Sequence, residues 1–411
     1  MIPPLPSMPD PEAQQRAIRQ FVRYCLVDES FGGRDDSKVI EWFESQMGLE
    51  RAALLGIPDI SGNTLLMVAR ALSTPGLYGL GAPTVRGPAE VPALCESAGL
   101  WTRLQWIQLL TLGIGDAVLG IDKEGDRLCL RTVPPHMLWT ECEPHDPSRL
   151  RQVWELRLRD IPGFGLLWCW DCYNLAVPSF RVVAATQQGQ DGRPLEVGSL
   201  VKLSPLEGTA YPWRYGSGQP FAPYQFYSRQ DTGQIWHDTH MRGATRGALN
   251  GIVNWTLTLR TAWDASHTTA IAVGVSPVGP VQTADVTGGP PARSIQLTPG
   301  ALLILEGMEG VQPMIQQLGP GGNLQMMLQF AEAYELRQLV REGLAPDQIQ
   351  RTAANPTSGA ALAISRSGKR EVAARLEPYF RRSDLELFAK IGAMWGLPET
   401  GYTLTYRTIP L

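Results

Sequence analysis

Two long helical patterns, held apart by a stretch that cannot be helical, constrain this chain more than any other feature. Over 238–265, Ile252, Trp255, Leu259 and Trp263 recur at helical spacing, with Leu249, Val253 and Leu257 on the adjoining row. Gly243, Gly247 and Gly251 fall on every fourth residue of this helix, and each costs about 1 kcal/mol relative to Ala in a helix interior. A row of residues without Cβ therefore predicts that another backbone approaches closely there. A helix beginning only near Gly247 would leave the first glycines in a loop. Over 268–320 the pattern turns to strand signals at 270–273, 294–297 and 302–305, around a loop containing Val286, Gly288, Gly289, Pro290 and Pro291. Asn323 reads as the N-cap of the second helix, whose stripe is Leu324, Met327, Leu328, Ala331 and Tyr334 and which runs to about Gly343.

Beyond it, 344–357 is a polar loop with Pro346 and Pro356, neither of which continues a helix interior. A third helical run opens at Ser358 and carries Val372, Leu376, Phe380, Leu387, Ile391 and Trp395, with Pro378 expected to bend or interrupt it. This succession of helix, β insert, helix, polar loop and long charged helix, with Pro356-Thr357-Ser358-Gly359-Ala360-Ala361-Leu362 at the junction, resembles the portal proteins of tailed bacteriophages and related gene-transfer particles. Gly115-Asp116-Ala117 and Val133-Pro134-Pro135 upstream add to the resemblance.

The resemblance implies an α+β portal-type ring subunit. Its wing is 1–237, comprising an α-rich part 10–113, a β-rich part 114–204 and an aromatic linker 205–237. A stem helix follows at 238–267, a clip at 268–320, a second stem helix at 321–343, a tunnel loop at 344–357, a long wing helix at 358–397 and a short tail at 398–411, with the crown minimal or absent. Gln350, Arg351, Thr352, Ala353, Ala354, Asn355, Pro356 and Thr357 become the channel-lining residues, and Ser358, Gly359, Ala360 and Leu362 the motif behind them. Arg366 and Lys369 are candidates for facing DNA, and the loop Val286–Pro291 for docking partners.

Composition narrows the alternatives. At 411 residues the chain is long enough for two or more domains. Its charged fraction of 18% lies below the roughly 25% of an average domain, which favours permanent subunit contacts. A net charge of −4 argues against gripping nucleic acid by phosphate neutralisation. It is compatible with letting a duplex pass, since a ring of about a dozen copies would carry about −48 in total. The six cysteines are scattered, and the opening Met1-Ile2-Pro3-Pro4-Leu5-Pro6 has neither a basic nor an apolar leader segment, so free thiols in a reducing cytoplasm are expected. No apolar run is long enough to span a bilayer.

In the N-terminal half, Asp10 caps a helix over 10–27 that should bury Ile18, Phe21, Val22 and Leu26. Further helices are predicted over 37–47, 59–72, 89–97 and 100–112. Strands follow over 116–121 and 127–133 as a hairpin, then over 152–158, 166–173, 179–184 and 201–203. The aromatic stretch 205–234 reads as an irregular linker with anchors for a neighbouring subunit, and 402–408 as a final strand.

Enzymatic motifs are missing or broken. Ser367-Gly368-Lys369-Arg370 fails as a phosphate loop because position 363 is Ala and Arg370 replaces the Mg-binding hydroxyl. Gly113-x-Gly115 lacks the third glycine of a dinucleotide loop. Cys169-x-x-Cys172 has metal-ligand spacing, with Cys142 and His145 as further donors, but on a strand the two thiols would point to opposite faces. His237-Asp238-x-His240 reads as a helix cap. No cofactor, metal or catalytic set is expected. The resemblance implies a non-enzymatic ring at one capsid vertex, with double-stranded DNA passing through its channel and with terminase, capsid and scaffolding proteins and a head-tail adaptor as partners. Another structural head or adaptor protein, or a Cys/His metal enzyme, are the alternatives.

Overall fold

The computed structural model describes residues 8, 10–28, 62–73, 77–78, 81–161, 165–185, 200–202, 211–237, 241–266, 269–273, 275–277, 305–307, 314–318, 324–342, 344 and 359–407. For 263–318 and 359–369, only the backbone course of those residues enters the description. The chain is an α+β fold. Its helices are α1 (Pro11–Val27), α2 (Thr64–Ser73), α3 (Glu90–Ser97), α4 (Leu100–Ile114), α5 (Arg242–Ser266), α6 (Leu324–Arg341) and α7 (Gly359–Trp395). Its strands are β1 (Thr84–Arg86), β2 (Asp116–Glu124), β3 (Arg127–Val133), β4 (Leu138–Glu143), β5 (Asp146–Ile161), β6 (Gly165–Asn174), β7 (Ser179–Ala185), β8 (Leu200–Lys202), β9 (Tyr224–Ser228), β10 (Thr269–Val273), β11 (Val275–Pro277), β12 (Leu305–Gly307), β13 (Met314–Leu318) and β14 (Thr403–Thr405).

The core gathers around α4, which is apolar on most sides and buries Leu100, Leu104, Ile107, Leu110, Leu112 and Ile114. A helix of that kind belongs inside a domain. It is flanked by α1, α2 and the antiparallel sheet β3-β2-β9. Asp10 caps α1 through the Ala13 amide at 2.7 Å, as the sequence predicts. The buried face is rotated from the expected one, however: Ile18 is 43% exposed, while Gln20 and Arg23 are fully buried. Arg23 is drawn inward because it has acceptors there, donating to Thr245 Oγ1 at 2.7 Å and the Ile114 carbonyl at 3.2 Å.

The second sheet is the antiparallel meander β4-β5-β6-β7-β8. One face carries charge pairs. Arg131 donates to Glu155, and Arg159 grips Asp171 through two bonds of 2.7 and 2.5 Å. Fork-to-carboxylate geometry of this type is what offsets the burial of Glu155 and Asp171. The opposite face is lined by tryptophan: Trp139 stands across from Trp154, Leu156 from Trp170, and Leu158 from Trp168.

The C-terminal end of α7 is locked to the body by one carboxylate. Asp384 is fully buried and accepts hydrogen bonds from Tyr78 at 2.6 Å, Tyr227 at 2.9 Å and Tyr406 at 2.5 Å. The donors come from the loop before β1, from β9 and from the segment after β14, so three separate stretches converge on one residue. Burial raises the Asp384 carboxyl to about 6, and the three phenolic donors act in the opposite direction. β1 and β14 pair antiparallel beside this cluster and bring the end of the chain onto the N-terminal helices.

Several expectations change here. The stretch 205–234 contributes a real strand, β9, and its aromatic residues Tyr211, Phe221, Tyr224 and Tyr227 are buried within their own chain rather than free for a neighbour. Alternation of apolar and polar residues is weak there because β9 is covered on both faces. β4 was hidden in the sequence by the adjoining Val133-Pro134-Pro135 turn, which the structure resolves as a single 3-10 turn leading into the strand. α7 continues through Pro378 without interruption. The predicted helix over 37–47 and strand over 294–297 lie outside the described residues, as does Asn323.

Candidate functional site: the paired helices and their root

α5 and α6 lie antiparallel, since Gly243 faces Arg341, Gly247 faces Gln338 and Trp255 donates to Glu335 Oε2 at 3.2 Å. Burial raises the Glu335 carboxyl, the Trp255 bond lowering it in part. The three glycines all lie within α5, the first in its opening turn. They do different things. A Cβ on Gly243 or Gly247 would meet the far ends of the Arg341 and Gln338 side chains, whereas one on Gly251 would collide with the backbone carbonyl of Gly62. Gly62 in turn approaches Gly251, its own Cβ position lying 2.5 Å from the Gly251 carbonyl oxygen. The backbone approach expected for the whole row is therefore made at one position, by the segment leading into α2.

The opposite side of α6 is exposed. Ala331 and Leu339 are buried, while Met326 is 64%, Phe330 60% and Val340 47% exposed. At 100° per residue Met326, Phe330, Ala333 and Val340 share one face, turned away from the buried one. The stripe read from the sequence, Leu324, Met327, Leu328, Ala331 and Tyr334, runs along the covered side with Ala331 buried at its centre, and only Leu328 at its edge is exposed.

The root of the helix pair is held by Asp116 and His237, which the sequence reading named in two separate motifs, and by Arg229 and Glu342, which it did not single out. Asp116, at the start of β2, accepts from the His237 backbone amide and from His237 Nδ1, both at 2.9 Å. The Thr232 amide donates to Nε2 at 3.3 Å, so the proton sits on Nδ1. Arg229 donates to Glu342 Oε2 at 2.8 Å just past the end of α6, and its Nη1 contacts Met241 Sδ at 3.4 Å just before α5. Together these contacts tie the near ends of both helices to the hinge between α4 and β2. They also explain Gly115-Asp116-Ala117: Gly115 takes a positive φ of 103°, and a Cβ there would lie 2.7 Å from Met241 Cγ. The visible signal was the motif itself; its partner His237, 121 residues later in sequence, was not legible. A cavity of about 290 Å³ lies beside this root, lined by Arg229, His237, Glu342, Arg375 and Tyr379.

The remaining sequence-derived candidates lie outside the described residues or where only the backbone is described. Gln350, Arg351, Thr352, Ala353, Ala354, Asn355, Pro356, Thr357 and Ser358 lie outside the described residues, as do Val286, Gly288, Gly289, Pro290 and Pro291. Gly359, Ala360, Leu362, Arg366 and Lys369 fall on the first turns of α7, where only the backbone is described. Two small antiparallel pairs, β10 with β13 and β11 with β12, bridge the far ends of α5 and α6. Farther along α7 the charges pair within the helix, Arg381 with Glu377 and Lys390 with Glu386, while Arg382 reaches Asp231 in the segment after β9.

Cys169 and Cys172 stand on opposite faces of β6, and burial pushes the Cys172 thiol up to about 12, which keeps it protonated. Among the described residues no cluster of three His, Cys, Asp or Glu side chains is placed to hold a metal ion. Among them, too, no helix is long and apolar enough to cross a membrane.

No protein-family model matches this chain, and no curated protein matches it. Among solved structures it is similar to a chain of the "Virion of native gene transfer agent (GTA) particle", with 11% identity and a TM-score of 0.41, covering 94% of this chain and 88% of that chain. At that identity and TM-score the likeness bears on neither activity nor partners.

Proposed function

We propose that this chain is a structural subunit of a phage-like particle, and within that class a portal protein. Copies of it would close side by side into a ring of about a dozen at one capsid vertex, assembled in the host cytoplasm. Double-stranded DNA would be packaged and ejected through the centre without sequence-specific contact. Terminase would dock on the β-paired end of the helices during packaging and a head-tail adaptor later, with capsid and scaffolding protein around the body. The role is non-enzymatic and needs no cofactor.

One observation carries this reading: α6 keeps Phe330, Ala333 and Val340 exposed on one face while its other face packs on α5. A long two-helix unit with such a face is unfinished as a monomer, because apolar patches of this kind mark association surfaces. The resemblance at 356–362 supplies the kind of assembly. Electron microscopy of the purified protein is the test. Ring-shaped class averages with a central channel support the proposal, and a monomer under every assembly condition tried overturns it.

A further inference from the structure

The cavity of about 290 Å³ beside the root of α5 and α6 has two unlike walls. One is the anchored root, with Gly115, Arg229, His237 and Glu342. The other is α7, which contributes Arg375 and Tyr379, four residues apart and therefore on one helix face. This site is separate from the exposed face of α6.

On the anchored wall the polar groups are matched to one another. The Gly115 carbonyl accepts the Arg229 backbone amide at 3.0 Å. Glu342 accepts from the Arg229 guanidinium at 2.8 Å, whose other amino group turns to the Leu112 carbonyl and Met241 Sδ. His237 spends Nδ1 on Asp116 and Nε2 on the Thr232 amide. The α7 wall is different. Neither the Arg375 guanidinium nor the Tyr379 hydroxyl has a hydrogen-bond or ion-pair partner among the described residues, and with Arg375 exposed and Tyr379 half-buried both are reachable from solvent. Two guanidinium groups thus share the cavity with one carboxylate. The surplus positive charge and the unspent donors both belong to α7, so a complementary ligand is anionic and rich in acceptors. A guanidinium fork fits the oxygens of a carboxylate or phosphate group. The volume is at the small end of the range for ligand pockets, about 300–1,000 Å³.

We propose that this cavity is a binding site for a small oxyanion, a carboxylate or phosphate group on a compact molecule, held by Arg375 and Tyr379 with the Arg229 cation behind it. The Arg229–Glu342 pair stays intact when the site fills. Because the donors come from α7 and the supporting charge from the segment after β9, the bound anion ties α7 to the root of the helix pair.

Isothermal titration of the full-length chain with inorganic phosphate and, separately, with succinate, at constant ionic strength, tests this and tells the two chemistries apart. One saturable site per chain for at least one of them is expected, with a Kd of about 1 mM or below. Arg375→Gln should weaken it at least about tenfold, the effect of losing a charge-assisted pair, and Tyr379→Phe about threefold, the effect of losing one neutral donor. Arg381→Gln removes another cation of α7, one already paired with Glu377, and should leave the affinity unchanged. Far-UV circular dichroism checks that each variant is folded. No saturable binding of either anion up to about 10 mM overturns the proposal. So does an affinity that Arg375→Gln leaves unaltered, or one that Arg375→Gln and Arg381→Gln lower equally, since a general field around α7 would then account for it. The site lies within one chain, so the readout does not depend on ring formation.

Discussion

Replacing Asp384 by Asn should flatten a defined part of the stability-versus-pH curve. Asp384 is buried with only phenolic donors around it: Tyr78, Tyr227 and Tyr406, with the Cys95 thiol of α3 nearby and Arg381 acting on Tyr406. Its carboxyl is raised from 3.8 to about 6 in the folded chain. The native state therefore binds a proton more tightly than the unfolded chain. The stabilisation from that proton is fully present below the unfolded value and is lost as pH rises through the folded one. At about 1.36 kcal/mol per unit the whole effect is about 3 kcal/mol, of which about 2 should be lost between pH 4.5 and 7.5. Urea unfolding of the wild type and of Asp384→Asn at those two pH values, at equal oligomeric state, isolates it. The difference between the two proteins should change by about 2 kcal/mol, with the wild type relatively weaker at the higher pH. A pH-independent difference would refute the reasoning, because the three tyrosines would then be compensating fully for burial.

Gly251→Ala should destabilise by about 1–2 kcal/mol, since the clash with the Gly62 backbone outweighs the gain in helix propensity, whereas Gly243→Ala should be neutral or slightly stabilising; thermal melts of the two variants would show equal shifts if the row acts uniformly. Phe330→Glu, on the exposed face of α6, should leave the circular dichroism intact and lower the assembled fraction in sedimentation velocity by at least about tenfold, the loss typical of an aromatic interface anchor; unchanged assembly would detach this face from association. Glu155→Ala should cost about 1–3 kcal/mol by removing the buried acceptor shared by Arg131 and Tyr224, Arg131 keeping Asp122 as its partner, and a denaturation midpoint within error of the wild type would contradict that assignment.

Much of the architecture was legible because it is local. Asp10 followed by Pro11 is enough to start α1, the hairpin of β2 and β3 follows from alternation around Lys123-Glu124-Gly125-Asp126, and the helix of 238–265 appears as α5 within a few residues. Face assignments were less secure. Ile18 and Leu328 occupy helical positions that spacing alone marks as inward, and both are exposed: at Ile18 the buried face of α1 turned toward Arg23 and its acceptors, and Leu328 lies at the edge of a stripe that is otherwise covered. β9 escaped notice because residues buried on both sides of a strand leave no alternation to read.

The sequence by itself determined the order of most helices and strands, and that the cysteines on β6 could not share a ligand, for these depend on periods of 3.6 and 2 residues and on turn chemistry. Only the tertiary structure decided which of three glycines meets another backbone, and that Asp116 and Asp384 would recruit His237 and three tyrosines from distant segments. Those outcomes depend on which surfaces meet across long loops, and a buried polar group takes whatever partner the packing brings within hydrogen-bonding distance.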